Sequence, residues 1–126
     1  MERKHRIVVV EDNEVFALLM AEALGEDYDV VLGHNGLQGI ALCLEAQTDL
    51  VLTDIGMPAL DGLQMLKAFQ KDPRLSHIPV IVVTASHFNS ISRSEVKRFP
   101  QVRAMMSKTA SVSSIIEEVS KALAGV

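Results

Sequence analysis

The chain has a single cysteine, no tryptophan and no apolar run long enough to span a bilayer. Cys43 alone cannot close an internal disulfide. Its neighbours Ile40, Ala41, Leu42 and Leu44 mark it as a small buried apolar side chain, which fits a reducing compartment. The longest apolar run near the N-terminus, Ile7 to Val10, is far shorter than a signal-peptide core or a membrane span, and acidic residues follow it at once. A soluble, cytoplasmic protein is therefore expected. No Pro/Gly/Ser-rich linker, internal repeat or low-complexity tract interrupts the 126 residues, 48% of them hydrophobic, so one compact domain over 1–126 is expected, with no output domain. The few aromatics, one tyrosine and four phenylalanines, are not interleaved with basic residues. The net charge of −4 is split: residues 1–63 carry 3 basic and 12 acidic groups (−9), residues 64–126 carry 9 and 4 (+5). The basic groups are scattered over several segments and form no basic helix, which argues against direct nucleic-acid binding.

What is present is an alternation. Short runs rich in valine and isoleucine, at Arg6 to Val10, Tyr28 to Gly33, Leu50 to Thr53, Val80 to Val83 and Ala104 to Ser107, are separated by stretches of helical period. That pattern predicts a parallel sheet wrapped by helices, an α/β fold. The last helix is the clearest: Val112, Ile115, Ile116, Val119 and Leu123 fall on one face behind a cap at Ser111. The second helix is expected to bury Leu37, Ile40, Ala41 and Leu44 behind Asn35, and the third, introduced by Asp61 and Gly62, to bury Leu63, Leu66 and Phe69. A fourth helix within Asn89 to Phe99 is polar and weakly periodic. The first, Val15 to Leu24, is interrupted by a polar group only at Glu22. Phe16, Leu19, Met20 and Ala23 are expected to face the core, leaving Val15 and Leu18 as a surface for a partner protein.

The strand ends carry the chemistry. Val10 runs into Glu11 and Asp12, Thr53 into Asp54, Val83 into Thr84, and Ser107 into Lys108. In an open parallel sheet, ligands bind at the carboxyl ends of the strands, beside the point where strand order reverses. If the order is 2-1-3-4-5, strands one and three are neighbours there and the three carboxylates converge. Such a group repels itself unless a cation joins it. Oxygen-only ligands of high charge favour magnesium, manganese or calcium over zinc, and magnesium suits a shallow site that takes one or two carboxylates plus a phosphate oxygen. Thr84 adds a hydroxyl and Lys108 a compact positive charge, completing a phosphoryl-binding set. A carboxylate is an established nucleophile for phosphoryl transfer, and Asp54, after the middle strand, is the candidate.

The acidic pair in "VVVEDN", the aspartate in "LTDIGMPALDG", the threonine in "VIVVTAS" and the lysine in "MSKTA" together resemble the receiver domains of two-component response regulators, over the full chain. The separations of 42, 30 and 24 residues between Asp12, Asp54, Thr84 and Lys108 leave room for helical crossovers. The resemblance implies a flavodoxin-like, doubly wound five-stranded sheet of order 2-1-3-4-5 with five helices. It implies phosphorylation of Asp54 by a phosphohistidine on a sensor histidine kinase or phosphotransfer protein, with Mg2+, or Mn2+ in its place, held by Asp12, Asp54, Glu11 (directly or through water) and the backbone carbonyl of Gly56. Thr84 would bind the phosphoryl group, and Lys108 would pair with Asp54 and then with its phosphate. Met57, Pro58, Asp61 and Gly62 match the family's loop after the phosphorylated aspartate. Output would pass to a downstream protein or an attached domain, and the chain's own catalysis would stop at gaining and losing the phosphoryl group.

Three positions depart from the family's pattern. Thr109 follows Lys108 where proline, joined by a cis bond, is usual; a non-proline cis bond costs roughly 2.5 to 4 kcal/mol, so this bond is either trans with a changed loop or held in strain. Met105 replaces the usual aromatic switch residue and has no ring to swing inward. Between Phe88 and Arg103 the usual alanine and glycine spacing is absent, and Phe99-Pro100 must end any helix near Arg98. These departures motivate the alternative of a degenerate receiver that binds partners without phosphorylation, against which the intact acidic set argues. A haloacid-dehalogenase-like phosphohydrolase would need an acid where Gly56 stands. A flavodoxin-like cofactor site would need a phosphate-cradling loop where Glu11 and Asp12 stand. His5, His34, His77 and His87 share no ligand spacing and read as surface residues, with His87 close enough to Thr84 to border the site.

Overall fold

The computed structural model describes residues 3–57, 59–85 and 90–125, with 90–92 described by their backbone alone. Strands β1 (Arg6–Val10), β2 (Asp29–Gly33), β3 (Leu50–Thr53), β4 (Val80–Thr84) and β5 (Val102–Ser107) alternate with helices α1 (Glu14–Leu24), α2 (Gly36–Glu45), α3 (Gly62–Lys71), α4 (Ser90–Lys97) and α5 (Val112–Ala124). All strand pairs are parallel and the order is β2-β1-β3-β4-β5, the predicted doubly wound sheet. Among the described residues no helix is long and apolar enough to cross a membrane.

The period of two in the strands builds two cores. Val8, Val10, Val51, Val80 and Val82 face α2, α3 and α4, joining Cys43, Met65, Leu66, Phe69 and Val96. Ile7, Val9, Leu50, Leu52, Ile81 and Val83 face α1 and α5, joining Met20, Leu24, Ile115, Val119 and Leu123. The inner strands β1, β3 and β4 are buried along their whole length, and the edge strands β2 and β5 only partly. This is why their apolar runs read as continuous rather than alternating.

Four helix starts are capped by side chains that accept from the backbone amide three residues on: Asn13 from Phe16, Asn35 from Gln38, Asp61 from Gln64 and Ser111 from Ser114. The last three are the caps expected from the sequence. Two helix faces are not as expected. In α2, Gly36, Gly39 and Cys43 turn inward, while Leu37 and Leu44 are 58% and 42% exposed. A Cβ at Gly39 would stand 2.8 Å from both Val10 and Met65, so the helix lies too close to β1 and α3 for any larger residue. In α1, Ala17, Met20 and Leu24 are buried and Leu19 is 43% exposed, joining Val15 and Leu18 on the outer face. A helix whose only polar residues are Glu14 and Glu22 gives periodicity little to choose by.

β5 begins two residues earlier than expected because its ladder slips: Val80 pairs with Val102 but Ile81 pairs with Ala104, leaving Arg103 as the extra residue of a bulge. α4 occupies Ser90–Lys97 inside the expected window, and its Val96 reaches the core. Gln101, buried just before β5, donates to the carbonyls of Leu75 and Ile78 and accepts from Gln70.

Candidate functional site

The sheet's hydrogen bonding continues one residue past the strands and delivers the polar groups to a single rim. Glu11 N–H donates to Gly33 O (2.9 Å), Asp54 N–H to Val10 O (3.1 Å) and Lys108 N–H to Thr84 O (2.8 Å). A cleft of about 270 Å³ opens there, lined by Asp12, Asn13, Asp54, Gly56, Thr84, Ala85 and Lys108.

Inside it, Lys108 Nζ lies 2.9 Å from Glu11 Oε1 and 2.9 Å from Asp54 Oδ2. The second oxygen of each acid is also engaged: Glu11 Oε2 accepts from Asn13 N–H (2.9 Å) and Asp54 Oδ1 from Ile55 N–H (2.6 Å). Glu11, Asp12 and Asp54 each offer a carboxylate oxygen, all within 4.8 Å of one another. Glu11 is only 2% exposed, whereas Asp12 faces solvent. Burial pushes the Glu11 carboxyl above its ordinary range, and the Asn13 amide and Lys108 oppose that rise without overcoming it. For Lys108, burial works against the charge, but hydrogen bonds to Glu11 and Asp54 prevail and hold the ammonium above its usual value.

Every predicted site residue is thus at one rim. The loop after β3 is pinned on both sides. Gly36 N–H at the start of α2 donates to Leu60 O, and Gly62 N–H donates to Ile55 O (2.8 and 2.9 Å). A Cβ on Gly62 would collide with the Asp54 carbonyl oxygen, so this glycine is the condition for the loop's close return. Gly56 has open space around it, and Ala59 takes a left-handed φ of 65°. Met57 is buried in the core, while Pro58, Ser86 and His87 lie outside the described residues. His5, His34 and His77 are exposed and none of them lines the cleft; His5 stands near the Tyr28 ring.

Of the two alternatives for the bond after Lys108, the trans one is found. Among the described residues no peptide bond is cis, so Lys108–Thr109 is trans. Hydroxyls take over the shaping of the turn: Ser107 Oγ and Thr109 Oγ1 are hydrogen bonded (2.7 Å), Thr109 N–H donates to Ser107 Oγ (3.1 Å), and Ala110 N–H to Ser107 O (2.9 Å). Two rim residues were not foreseen. Asn13 was readable as a cap type ahead of an apolar helix. Phe16, whose ring centroid is 5.1 Å from Lys108 Nζ, was read only as core, and its spacing carries no signal that it meets a residue 92 positions away.

Comparison with known proteins agrees with this geometry. The family model described as the response regulator receiver domain matches residues 7–120. The chain belongs to the response regulator receiver domain family. The polar-differentiation response regulator DivK of Brucella anthropi is 36% identical over 114 residues, covering 90% of this chain and 91% of the relative. The receiver domain of a signal transduction histidine kinase from Syntrophus aciditrophicus superposes with a TM-score of 0.87 at 24% identity, covering 97% of this chain and 92% of the other. The phosphorylated cyanobacterial phytochrome response regulator RcpA superposes with a TM-score of 0.79 at 28% identity, covering 95% and 91%. Receiver domains are signalling modules rather than classical enzymes, and they work with histidine kinases or phosphotransfer proteins and with downstream partners. They bind Mg2+ or Mn2+ at an acidic pocket, a role with which the group Glu11, Asp12 and Asp54 is compatible.

Proposed function

We propose that this receiver domain, residues 1–126 acting as one cytoplasmic unit, accepts a phosphoryl group on Asp54 and thereby changes which proteins it binds. One observation carries the reading: Asp54 lines an open cleft with Lys108 Nζ 2.9 Å from its carboxylate and two further acids within 4.8 Å. The donor set fits a hard divalent cation, because all ligands are oxygens of high charge and a lysine already bridges two of them. Asp12, Asp54 and Glu11, with the carbonyl of Gly56, would hold Mg2+, or Mn2+ in its place. When bound, the cation neutralises charge on the phosphoryl oxygens.

The chain's own groups do the rest. Asp54 attacks the phosphorus of a phosphohistidine; the new P–O bond forms as the P–N bond breaks, and the imidazole leaves. Lys108 passes from the carboxylate to an oxygen of the arriving group, and Thr84 donates its hydroxyl. Attack of water on phosphorus later restores the carboxylate and releases phosphate. The dianion favours one arrangement of the segments after β4 and β5, altering the face formed by α4, β5 and α5, where Met105 stands in place of an aromatic ring. The outer apolar face of α1, with Val15 79% and Leu18 55% exposed, is the surface offered to the kinase or phosphotransfer protein.

The test is incubation with Mg2+ and a small acyl phosphate, followed by intact mass and magnesium titration, for the wild type and Asp54→Asn. A phosphoryl increment confined to the wild type is expected. An unmodified wild type, or equal modification of both proteins, refutes the reading and favours a phosphorylation-independent interaction module.

A further inference from the structure

Lys108 has a third neighbour besides its two carboxylates. Its ammonium sits over the face of the Phe16 ring, 5.1 Å from the centroid, within the range at which a cation is drawn to the negative face of an aromatic π-system. Phe16 belongs to the first turn of α1 and is half-buried against the α1/α5 core, so the ring is anchored by packing. The same turn fixes the acid opposite. Glu11 Oε2 accepts from Asn13 N–H (2.9 Å), and Asn13 Oδ1 in turn caps Phe16 N–H (3.0 Å). One helix start therefore holds both Glu11 and the ring, and the lysine head lies among Glu11, Asp54 and Phe16.

A lysine side chain has four rotatable bonds and a compact, strongly hydrated charge, so it does not stay put by itself. The residue after it is threonine, and the backbone there is shaped by the Ser107 and Thr109 hydroxyls on an exposed turn. The two carboxylate contacts are directional hydrogen bonds, and the proposed reaction must rearrange them as the phosphoryl group arrives on Asp54. A ring face is different: its attraction is spread over an area, and an ammonium can shift across it while keeping contact. Phe16 is thus the neighbour of Lys108 that needs no rearrangement when the carboxylate partners change.

We propose that Phe16 is a positioning residue for Lys108, its ring face holding the ammonium at the Asp54 cleft while the lysine exchanges carboxylate for phosphoryl oxygen. The role rests on Asp54 being the phosphoacceptor. Phe16 touches neither the phosphoryl group nor a metal and acts through Lys108. Its contribution lies in the strength of a partly desolvated cation–π contact, which corresponds to roughly a threefold to tenfold effect on rate.

The experiment compares Phe16→Leu, Phe16→Tyr and a protein carrying pentafluorophenylalanine at position 16. Leucine keeps the apolar bulk and removes the π-system. Tyrosine keeps the π-system. The fluorinated ring keeps the aromatic shape and reverses the charge on its face, and it serves in place of the leucine variant should that protein fold poorly. Each is phosphorylated with acetyl phosphate and Mg2+, and the maximal rate is separated from the half-saturating acetyl phosphate concentration. In parallel, NMR reads the ring-current shift of the Lys108 ε-methylene protons, which needs no phosphorylation. The maximal rate should fall about threefold to tenfold for the leucine and fluorinated proteins, with the half-saturating concentration little changed, while tyrosine stays within about twofold of the wild type. The ring-current shift should persist with tyrosine and vanish with leucine. A fluorinated protein as fast as the wild type, or a tyrosine variant as slow as the leucine one, reduces Phe16 to packing and overturns the proposal. A wild type that takes up no phosphoryl group overturns the functional reading and this role with it, an outcome distinct from a phosphorylated wild type whose variants do not differ.

Discussion

Replacing Asp12 by asparagine should make the metal-free protein more stable, and the order should reverse in magnesium. Asp12 is exposed, and its carboxylate lies within 4.8 Å of both Glu11 and Asp54, whereas Lys108 is paired with those two. At 4.8 Å two like charges repel by about 0.9 kcal/mol in a water-like dielectric and about 3.5 kcal/mol at an effective dielectric of 20. Exposure of Asp12 makes the lower figure the appropriate one, and the positive field of Lys108 cancels part of the two-neighbour sum, leaving about 1 kcal/mol for asparagine to recover. Magnesium works in the opposite sense. At ten times its dissociation constant a ligand of the native state adds about 1.4 kcal/mol, which the wild type gains and the variant, short of one charged oxygen, largely forgoes. Urea unfolding of both proteins in chelator and in 10 mM Mg2+, chosen as roughly a saturating concentration, reads all four stabilities with the slope as a control on two-state behaviour. An asparagine variant that is less stable in chelator, or that gains as much from magnesium as the wild type, would refute the charge argument.

Three further outcomes follow from geometry away from the cleft's centre. Gln101→Leu strands the Ile78 carbonyl, while the Leu75 carbonyl keeps the Ile78 N–H, and should cost about 1 to 3 kcal/mol, seen as a lower urea midpoint at unchanged slope. Ala59→Gly relieves a left-handed non-glycine conformation at φ 65° and should stabilise by about 0.5 to 1 kcal/mol in the same assay; a loss instead would mean the loop relies on that restraint. Burial pushes the Cys43 thiol up to about 11, with Thr48 and Arg6 opposing the rise. The thiol therefore ionises earlier in the unfolded chain, so its stabilising share is complete below about pH 9 and is lost as the pH climbs to 11. Cys43→Ala should flatten that alkaline decline by an amount of the order of 2 kcal/mol, measured as the difference between the two proteins at pH 8 and pH 10.5.

Much of this architecture was legible because the inner strands are buried on both faces and must be written in valine, isoleucine and leucine, and because each ends where chemistry begins. Glu11, Asp12, Asp54, Thr84 and Lys108 stood out as an ordered set at strand ends, although Lys108 or Thr84 alone would read as an ordinary surface lysine or strand-end hydroxyl. Three features did not stand out. The inward face of α2 sets Gly36 and Gly39 beside Cys43, and a search for apolar periodicity passes over glycine even where its smallness decides how closely a helix seats. The face of α1 was unreadable because apolar residues surround it on nearly every side, so Leu19 was assigned inward when it faces out. Phe16 meets Lys108 only through the fold, and no local pattern encodes a contact across 92 residues.

The extra residue in β5 has a bearing on Lys108 itself. Val102 packs toward one core and Ala104 toward the other, which two residues of a regular strand could not do. Arg103 takes up the odd step, and from Ala104 onward the pairing with β4 is regular through Thr84 and Ser107. The register shift is thus confined to the start of β5 and taken up before the strand reaches the rim, as slack in a rope is taken up ahead of the knot. Excising Arg103 should leave the lysine in register at the rim, whereas excising any one residue between Ala104 and Ser107 should pull it out of reach of both acids.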